Sequence, residues 1–331
     1  MHINPQSPAG MTSYPSVDAV TRLLGRPSGP LGFGTGLLHC VNDARSAVGL
    51  LRKAHEEGVT YFDTARLYGD GRCEGMVGEA FAHMRGEVLI ATKLGILPPA
   101  SDFYTRAQGK AQALLRRIPP LRAMVPPPTV RFPEFDVFDP RRMQQSLETS
   151  LKELRTDHVD VLLLHECKPE HVHSEEVRDF LDQMVREGKT RAYGIAPTSD
   201  AMQAIAASGA PYGDVAQFDA SLRPGMPPPA GSGPALVITH SCLGQRFQDQ
   251  LARLKGDAAL KDRWSSALGI DAADPSALAQ AYLAHAIQQN AGGLVLFSTT
   301  RPERLKSNLD APAFLSSPDR VAALSRLMAE G

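Results

Sequence analysis

Short apolar segments recur along most of the chain and constrain its fold more than any other feature. They begin at Leu31, Thr60, Val88, Val159, Arg191, Val215, Ala235 and Gly293. Near-continuous apolar runs of this length are typical of parallel strands that are covered on both faces. Five of the seven intervals between their starts measure 20 to 32 residues, which is close to the length of one βα unit. Eight such units predict a (β/α)8 barrel, the TIM-barrel fold.

Helix start signals stand between these segments and support the alternation of strands and helices. The predicted caps are Asn42 or Asp43, Asp139, Asp274 and Ser317, and Thr300 with Glu303 forms a candidate capping box. Three of these cap residues precede a Pro, which is favoured at the first helical position. We therefore predict a single barrel domain over residues 1–331 that ends in a C-terminal helix.

Two segments are longer than a βα unit requires. Residues 96–138 follow the third strand, and residues 244–273 follow the seventh. Both leave the carboxyl end of a strand, so both are expected to form long loops over the face where barrel active sites lie. They either enclose a substrate, as long loops often do, or run over the surface as plain excursions. Residues 1–20 are expected to form a loose N-terminal tail or an N-terminal lid.

The first of these segments carries two groups of side chains whose roles stay open. Its aromatic residues are Phe103, Tyr104, Phe132, Phe135 and Phe138. They form either a wall over the substrate or packing that holds the insertion on the barrel. The basic residues Arg106, Lys110, Arg116, Arg117 and Arg122 also lie in it. They form either a solvated face or a rim that attracts an anionic substrate or cofactor phosphates.

Charge and composition argue against several classes of partner. Lys and Arg total 35 against 36 Asp and Glu, a net charge of −1. The sequence therefore has no excess of positive charge to attract nucleic acid or an anionic membrane. No apolar run approaches the ~20 residues of a membrane helix, and the first residues lack the pattern of a signal peptide. The four cysteines are scattered without a CxxC pair, which argues against a zinc or disulfide framework and favours the cytoplasm.

Four reactive side chains stand at or just after the ends of neighbouring predicted strands. Asp63 ends the second strand and Tyr68 follows on the next loop, whereas Lys93 and His165 end the third and fourth strands. Adjacent strand ends converge on one mouth of a barrel, so the four side chains can meet although they are far apart in sequence. Taken singly, they could be a helix cap, a loop residue and a strand-end ion pair. Taken together, they favour a catalytic site.

These residue types suit the transfer of a proton to or from an oxygen bound to carbon. A free Tyr has a pKa near 10, and an adjacent Lys93 ammonium is expected to lower the pKa of Tyr68. Asp63 would keep Lys93 charged through an ion pair, and His165 would orient a substrate oxygen through a hydrogen bond. The set has no strong nucleophile and is a poor metal site, so a cofactor must carry the electron pair.

The motifs that contain these residues resemble the aldo-keto reductase family. The resembling segments are FDTARLYGDGRCE at 62–74, ATKLG at 91–95, VDVLLLH at 159–165, LGFGT at 31–35 and STTRPERLKSN at 298–308. The family has a TIM barrel and reduces aldehydes and ketones with NADPH, or runs the reverse oxidation. The resemblance implies that Tyr68 is the general acid/base, that Lys93 and Asp63 tune it, and that His165 orients the carbonyl group.

The resemblance also implies a cofactor site. The matching positions are Gly34, Thr35, Asp63, Gln217, His240, Ser241, Leu243, Ser298, Thr299, Arg304 and Asn308. The last four match the loop and helix that hold the adenosine phosphate and adenine, where free backbone N–H groups favour phosphate. Arg304 favours a 2′-phosphate and therefore NADP over NAD. Ser298 stands where many members have Lys, and Arg301 is a candidate to compensate for it.

Three departures from the family pattern bear on the cofactor and the substrate. Ala196-Pro197 stands where the family has Ser and Asn to bind the carboxamide, and neither side chain forms hydrogen bonds. His240 stands where the family has a Tyr that stacks on the nicotinamide, and it could replace that Tyr less fully. The long segment 96–138, together with the sequence YGDGRCE, resembles the branch of the family that oxidises aldoses or pyridoxal.

These expectations combine into one predicted activity. The chain is expected to be an NADP(H)-dependent oxidoreductase that interconverts a small aldehyde or ketone (or aldose) and the alcohol (or lactone). The departures leave an alternative, a regulatory or redox-sensing barrel protein that binds NADP(H) with weak turnover. A barrel enzyme of unrelated chemistry is the third hypothesis.

Overall fold

A computed structural model describes residues 17–99, 132–211, 213–219 and 234–330. Its strands are parallel and close into one barrel in sequence order. They are β1 Leu31–Gly34, β2 Tyr61–Asp63, β3 Leu89–Leu94, β4 Val159–His165, β5 Thr190–Ala196, β6 Val215–Asp219, β7 Leu236–His240 and β8 Leu294–Phe297. The predicted (β/α)8 barrel is confirmed, and each strand lies in the segment expected for it.

Helices connect the strands and cover the outer face of the barrel. They are α1 Asp18–Leu24, α2 Ala44–Glu56, α3 Cys73–Phe81, α4 Pro140–Leu154, α5 Pro169–His173, α6 Glu175–Arg186, α7 Ser199–Ser208, α8 Gln245–Gly256, α9 Ala258–Leu268, α10 Pro275–Gln289, α11 Glu303–Leu309, α12 Ala311–Phe314 and α13 Pro318–Glu330, with 3-10 turns at Leu38–Cys40 and Ala82–Glu87. The predicted caps Asp43, Asp139, Asp274 and Ser317 each accept a hydrogen bond from the backbone N–H three residues later.

The capping box predicted at Thr300 and Glu303 is wrong. Helix α11 begins at Glu303 after Pro302, and no side chain caps its N-terminus. Pro302 already has helical dihedral angles and lacks a backbone N–H, so it leads into the helix without a Thr cap. The neighbouring Thr299 hydroxyl instead accepts a hydrogen bond from the backbone N–H of Arg301 at 3.1 Å.

The loose tail predicted over residues 1–20 is wrong for its last part. The chain forms α1 there, and Val17, Val20 and Leu24 are buried against side chains that fill the interior of the barrel. Their spacing gives the segment one apolar face, which packs at the amino end of the barrel. Residues 1–16 lie outside the described part of the chain.

The long loop predicted over residues 244–273 is also wrong as a loop. The segment follows β7 as expected, but it folds into α8 and α9. Phe247, Leu254 and Trp264 are buried in one cluster with side chains of α10 and α13. Apolar residues at helical spacing give each helix a buried stripe, so the segment adds a helical layer to the barrel.

The long loop predicted over residues 96–138 is described only at its two ends. The end segments 96–99 and 132–138 are joined by an antiparallel bridge. Phe138 is buried and packs in the main core, whereas the other two described aromatic residues of the segment are exposed. The remaining residues named in this segment lie outside the described part of the chain: Phe103, Tyr104, Arg106, Lys110, Arg116, Arg117 and Arg122.

Close packing between α3 and α4 fixes the helix that follows the β2 loop. Gly78 of α3 faces the end of α4, and a Cβ atom at this position would collide with the backbone carbonyl of Glu153. The two helices therefore approach each other at the level of the backbone, which only a glycine permits. Little space is left for α3 to shift relative to α4.

We expect Gly78→Ala to destabilise the fold by about 1–3 kcal/mol, because the added methyl group forces the two helices apart. Gly49 is a matched control, since it lies inside α2 and a Cβ there would meet no atom within 4 Å. Gly49→Ala is expected to stabilise the protein by ~0.5–1 kcal/mol through helix propensity. Urea unfolding measures both changes, and the same effect from both substitutions would contradict the packing argument.

Candidate active site

The carboxyl ends of β2, β3 and β4 bring the four predicted reactive residues together. Asp63 is the last residue of β2, Lys93 precedes the last residue of β3, and His165 is the last residue of β4. Tyr68 lies on the loop between β2 and α3. Because adjacent parallel strands carry these residues at the same end, their side chains meet in the mouth of the barrel.

Lys93 is the centre of this group. Its Nζ atom donates to Asp63 Oδ1 at 2.6 Å, to the Thr64 carbonyl at 3.0 Å and to the Tyr68 hydroxyl at 3.1 Å. The side chains of Lys93 and Asp63 are only 2% and 3% exposed. Three hydrogen bonds thus use all three donors of the ammonium group, and one of them is to the phenol of Tyr68.

The ion pair keeps Lys93 charged, as expected. Burial alone would lower the pKa of Lys93, but the Asp63 carboxylate and its hydrogen bond, together with Tyr68, raise it above its ordinary value. The ammonium group therefore remains protonated through the neutral range. A fixed positive charge stands 3.1 Å from the Tyr68 hydroxyl oxygen.

The expectation that Tyr68 has a lowered pKa is wrong. Burial in the mouth raises the pKa of Tyr68, and the Lys93 charge offsets this effect only in part, while Asp63 adds to it. Desolvation is larger than the attraction to Lys93, because the phenolate would lose its hydration in the barrel. Tyr68 consequently keeps its proton at neutral pH and is set up as a proton donor.

His165 is a neutral hydrogen-bonding group. Its ring stands edge-on to the Tyr68 ring, with 6.0 Å between the ring centroids. Burial, with the positive charge of Lys93 and the nearby His240, lowers the pKa of His165 to about 3. A neutral imidazole has one N–H donor and one acceptor nitrogen, so His165 can orient an oxygen without carrying charge.

Gln217 belongs to the same network. It lies in β6, and its Nε2 atom donates to Asp63 Oδ2 at 2.9 Å. The carboxylate of Asp63 is thus held by Lys93 on one oxygen and by Gln217 on the other. The Gln217 Oε1 atom is buried and has no hydrogen-bond partner among the described residues.

The other predicted cofactor residues follow the ends of β7, β8 and β1, which are neighbours in the closed barrel. Ser298 donates its hydroxyl hydrogen to the Gly34 carbonyl at 2.7 Å, and a Cβ at Gly34 would lie 2.8 Å from that hydroxyl oxygen. Thr35 is fully buried, and its hydroxyl has no hydrogen-bond partner among the described residues. With β6, these ends form a continuous arc beside the four reactive residues.

The residues after β7 lie on this arc as well. His240 ends β7, and its Nδ1 atom is 2.8 Å from the hydroxyl of Ser241, whose backbone has a positive φ of 65°. Burial lowers the pKa of His240, although the Asp219 and Asp63 carboxylates oppose this. Leu243 is partly buried against the core. His240 is therefore a largely neutral ring within electrostatic range of the ion pair.

The residues predicted to hold the adenosine phosphate lie at and beyond the end of β8. Thr299 precedes α11 and is buried, Arg304 is exposed in the first turn of the helix, and Asn308 is buried near its end. Arg301 is exposed just before the helix. Both arginines are thus exposed and follow Ser298 closely in the chain, at the carboxyl end of β8.

The structure also describes the departure at the end of β5. Ala196 ends the strand, and its carbonyl accepts a hydrogen bond from the backbone N–H of Glu166 at 2.8 Å. Ala196 and Pro197 are both buried. The end of β5 therefore presents no side-chain hydrogen-bonding group to the mouth.

Sequence reasoning missed four residues that support the site. The Thr64 carbonyl holds Lys93, and Glu74 on α3 bonds to both Arg66 and Thr92 behind the mouth. A backbone carbonyl has no sequence signal. Glu74 is the last residue of the motif at 62–74. Only the fold shows that its partners Arg66 and Thr92 flank the reactive residues.

The structure is a parallel barrel with a buried Lys–Asp ion pair, a Tyr and a His at its carboxyl mouth. Comparison with known proteins identifies its class. The model of the Aldo/keto reductase family matches residues 30–217, more than half of the chain. The chain belongs to the aldo/keto reductase family, whose members are oxidoreductases that use a nicotinamide cofactor. The resemblance of the sequence motifs to this family is confirmed.

Individual relatives are distant. Aldo-keto reductase AFTS1 of Alternaria alternata is 29% identical over 46% of this chain and 40% of its own length. The 6-dehydroglucose reductase of Agrobacterium fabrum is 29% identical over 42% of this chain and 39% of its own length. The matches span less than half the length of these curated relatives. An aldo-keto reductase from Klebsiella pneumoniae, solved in complex with NADPH, shares the fold at 22% identity, with 91% of each chain covered and a TM-score of 0.62.

Three further features of the described residues concern membrane helices, metal sites and disulfides. No helix among them is long and apolar enough to cross a membrane. Within the same residues, no group of three or more His, Cys, Asp or Glu side chains is arranged to hold a metal ion. The four cysteines are free thiols.

We expect the His165 ring to stay neutral between pH 5 and 8, because its pKa is lowered to about 3. Since an unfolded His titrates near 6.5, this group contributes stability above pH ~6.5 that is lost as the pH falls toward 3. Imidazole NMR signals followed against pH measure the titration, and His165→Asn identifies the signal of His165. A midpoint near 6.5 for that signal would contradict the buried, uncharged site.

Proposed function

We propose that the chain is an NADP(H)-dependent oxidoreductase that interconverts a carbonyl compound and its alcohol. The observation that carries the proposal is the contact of Lys93 Nζ with both Asp63, at 2.6 Å, and the Tyr68 hydroxyl, at 3.1 Å. A buried phenol beside a fixed ammonium is suited to give up a proton as negative charge develops on a nearby oxygen. The matched family supports the same chemistry.

Each of the four groups has its own task in the reduction. Tyr68, which the raised pKa keeps protonated at neutral pH, donates its proton to the carbonyl oxygen. Lys93 stabilises the phenolate that remains, and Asp63 keeps Lys93 charged. His165 donates a ring N–H to the same oxygen and fixes its direction. In the oxidation the phenolate takes the proton of the alcohol, so oxidation requires a higher pH than reduction.

The residues present fit a nicotinamide cofactor. Gln217 Oε1 and Thr35 Oγ1 are buried without hydrogen-bond partners among the described residues, and buried polar atoms are normally satisfied. Both therefore have bonding capacity left for a polar group in the mouth. When bound, the cofactor supplies or accepts the hydride. Gln217, Thr35 and the neutral His240 would hold its nicotinamide end.

Two exposed arginines support NADP over NAD. Arg301 and Arg304 stand at the start of α11, next to the carboxyl end of β8. Guanidinium groups bind phosphate through paired N–H donors, so these residues suit a 2′-phosphate. The Klebsiella pneumoniae relative was solved in complex with NADPH, which supports the same choice.

The proposed substrate is a small aldehyde, ketone or aldose, and the product is the alcohol, or in oxidation the lactone. The donors that face it are a phenol and a neutral imidazole, which suit a neutral oxygen on carbon. The name of one relative, 6-dehydroglucose reductase, supports a sugar-like carbonyl compound. We place the enzyme in the cytoplasm on the scattered free cysteines.

A second candidate is a barrel protein that binds NADP(H) with weak turnover and has a regulatory or redox-sensing role. The buried Ala196 and Pro197 favour it, because they offer no side-chain bond to a carboxamide group. Tight NADPH binding without turnover of any aldehyde, ketone or aldose would support this candidate over the enzyme.

Tyr68→Phe is expected to lower kcat for NADPH-dependent reduction of 4-nitrobenzaldehyde by roughly 10²–10⁴-fold, since it removes the proton donor. The Kd of NADPH, measured by fluorescence titration, should stay within about twofold. Tyr193→Phe is the matched control, because the Tyr193 hydroxyl contacts Asp182 instead of the barrel mouth. A Tyr68→Phe variant that keeps most of its activity would refute the assignment.

Arg304→Ala is expected to weaken NADPH binding by about tenfold or more, because a charge-assisted phosphate contact is worth ~1.5–3 kcal/mol. NADH, which lacks the 2′-phosphate, should bind the variant as it binds the wild type. Fluorescence titration with both dinucleotides gives the two Kd ratios. Equal losses for NADPH and NADH would show that Arg304 does not read the 2′-phosphate.

A further inference from the structure

A buried carboxylate behind the site connects the two elements that carry Tyr68 and Lys93. Glu74 lies in the first turn of α3, and its side chain is fully buried. Its Oε1 atom accepts a hydrogen bond from the Thr92 hydroxyl at 2.6 Å, and its Oε2 atom accepts one from Arg66 Nη1 at 3.1 Å. The proposed proton transfer uses neither bond.

The partners of Glu74 are the sequence neighbours of the reacting groups. Thr92 precedes Lys93 in β3, and successive side chains of a strand point to opposite faces, so Thr92 points outward toward α3 while Lys93 points into the mouth. Arg66 lies two residues before Tyr68 on the loop after β2. One carboxylate therefore ties the strand at Lys93 to the loop that carries Tyr68.

The cost of burial indicates that this ion pair has a role in geometry. Attraction between buried charges often fails to offset their lost hydration, so a buried pair is a weak explanation of stability. The Arg66 side chain is only 13% exposed, and its Nε atom has no hydrogen-bond partner among the described residues. Glu74 is thus the carboxylate that holds this guanidinium, and with it the loop.

The helix that carries Glu74 is itself fixed. One turn further along α3, Gly78 meets the backbone of α4 so closely that no Cβ would fit. The carboxylate is consequently attached to a rigid support, and it cannot follow the loop if the loop moves. A rigid anchor of this kind is what a reacting group needs when its position is critical.

We propose that Glu74 is a positioning residue that holds the Tyr68 hydroxyl against Lys93. The inference rests on the proposed function, because it matters for catalysis only if Tyr68 transfers the proton. Through Arg66 and Thr92, the Glu74 carboxylate sets the 3.1 Å distance between the Tyr68 hydroxyl oxygen and Lys93 Nζ. A displacement of about 1 Å at a reacting group costs on the order of 100-fold in rate.

The test compares two variants of this network with two controls. Glu74→Gln removes the ion pair, and Thr92→Val removes the hydroxyl at nearly constant shape. Thr92→Ser is the conservative variant that keeps the hydroxyl. Asp160→Asn removes another buried carboxylate, which pairs with Arg85 at 2.7 Å and Arg191 at 3.0 Å at the opposite end of the barrel.

Four quantities are measured on each full-length variant: kcat and KM for NADPH-dependent reduction of 4-nitrobenzaldehyde, the Kd of NADPH, and Tm. We expect kcat to fall about tenfold or more in Glu74→Gln and several-fold in Thr92→Val, with the Kd of NADPH within about twofold of wild type. Thr92→Ser should restore kcat. Asp160→Asn should lower Tm as Glu74→Gln does, yet keep kcat.

The inference is overturned if Glu74→Gln keeps the wild-type kcat, or if Asp160→Asn loses as much kcat for the same loss of Tm. Should Glu74→Gln fail to fold, Thr92→Val decides, and an unchanged kcat in that variant overturns the inference. Loss of activity in Tyr68→Phe but not in Glu74→Gln rejects the role of Glu74 alone. A wild-type protein that binds NADPH without turnover rejects the proposed function, and the inference with it.

Discussion

The site depends on one buried ion pair. A Lys ammonium without a partner would lose its charge inside a barrel, and the Asp63 carboxylate, 2.6 Å from Lys93 Nζ, prevents this. The rest of the mouth is arranged around this charge. Tyr68 contacts it through its hydroxyl, His165 is kept neutral beside it, and Gln217 binds the second oxygen of the carboxylate. The proposed reaction uses Tyr68, whose raised pKa keeps it protonated at neutral pH, as the proton donor.

The two ends of the barrel hold different sets of buried charged residues. Its amino end is closed by α1 and holds a buried charge network around Asp160, which bonds to Arg85, Arg191 and the backbone of Ile90. Its carboxyl end holds the four groups of the proposed reaction and the arc of predicted cofactor residues. This division follows from the parallel strands, since the last side chains of every strand lie at the same end of the barrel. The segment 244–273 after β7 adds two helices that pack against α10 and α13, and the strands keep their sequence order around the barrel.

Apolar runs in the sequence were sufficient to predict the strands, because buried parallel strands are continuous apolar segments. The meeting of the four residues was predictable because Asp63, Lys93 and His165 stand at strand ends and Tyr68 follows on the next loop. The predictions from sequence failed where tertiary packing determines the structure or the pKa. The prediction of a loop over residues 244–273 is wrong because its apolar residues pack against α10 and α13, which lie outside the segment. The predicted direction of the Tyr68 pKa shift is wrong because the sequence shows the nearby Lys93 but not how deeply Tyr68 is buried. The role of Glu74 depends on contacts that span three elements, so no local pattern could predict it.

The central claim is that Lys93 acts on the reaction through Tyr68. A double-mutant cycle in kcat/KM for carbonyl reduction, with Tyr68→Phe, Lys93→Met and the double variant, tests it most directly. Residues that act as a unit show strongly non-additive losses. The account predicts that the double variant is no slower than Tyr68→Phe alone, because the charge has no phenolate left to stabilise. Losses that multiply would show that Lys93 acts independently of Tyr68 and would contradict the account.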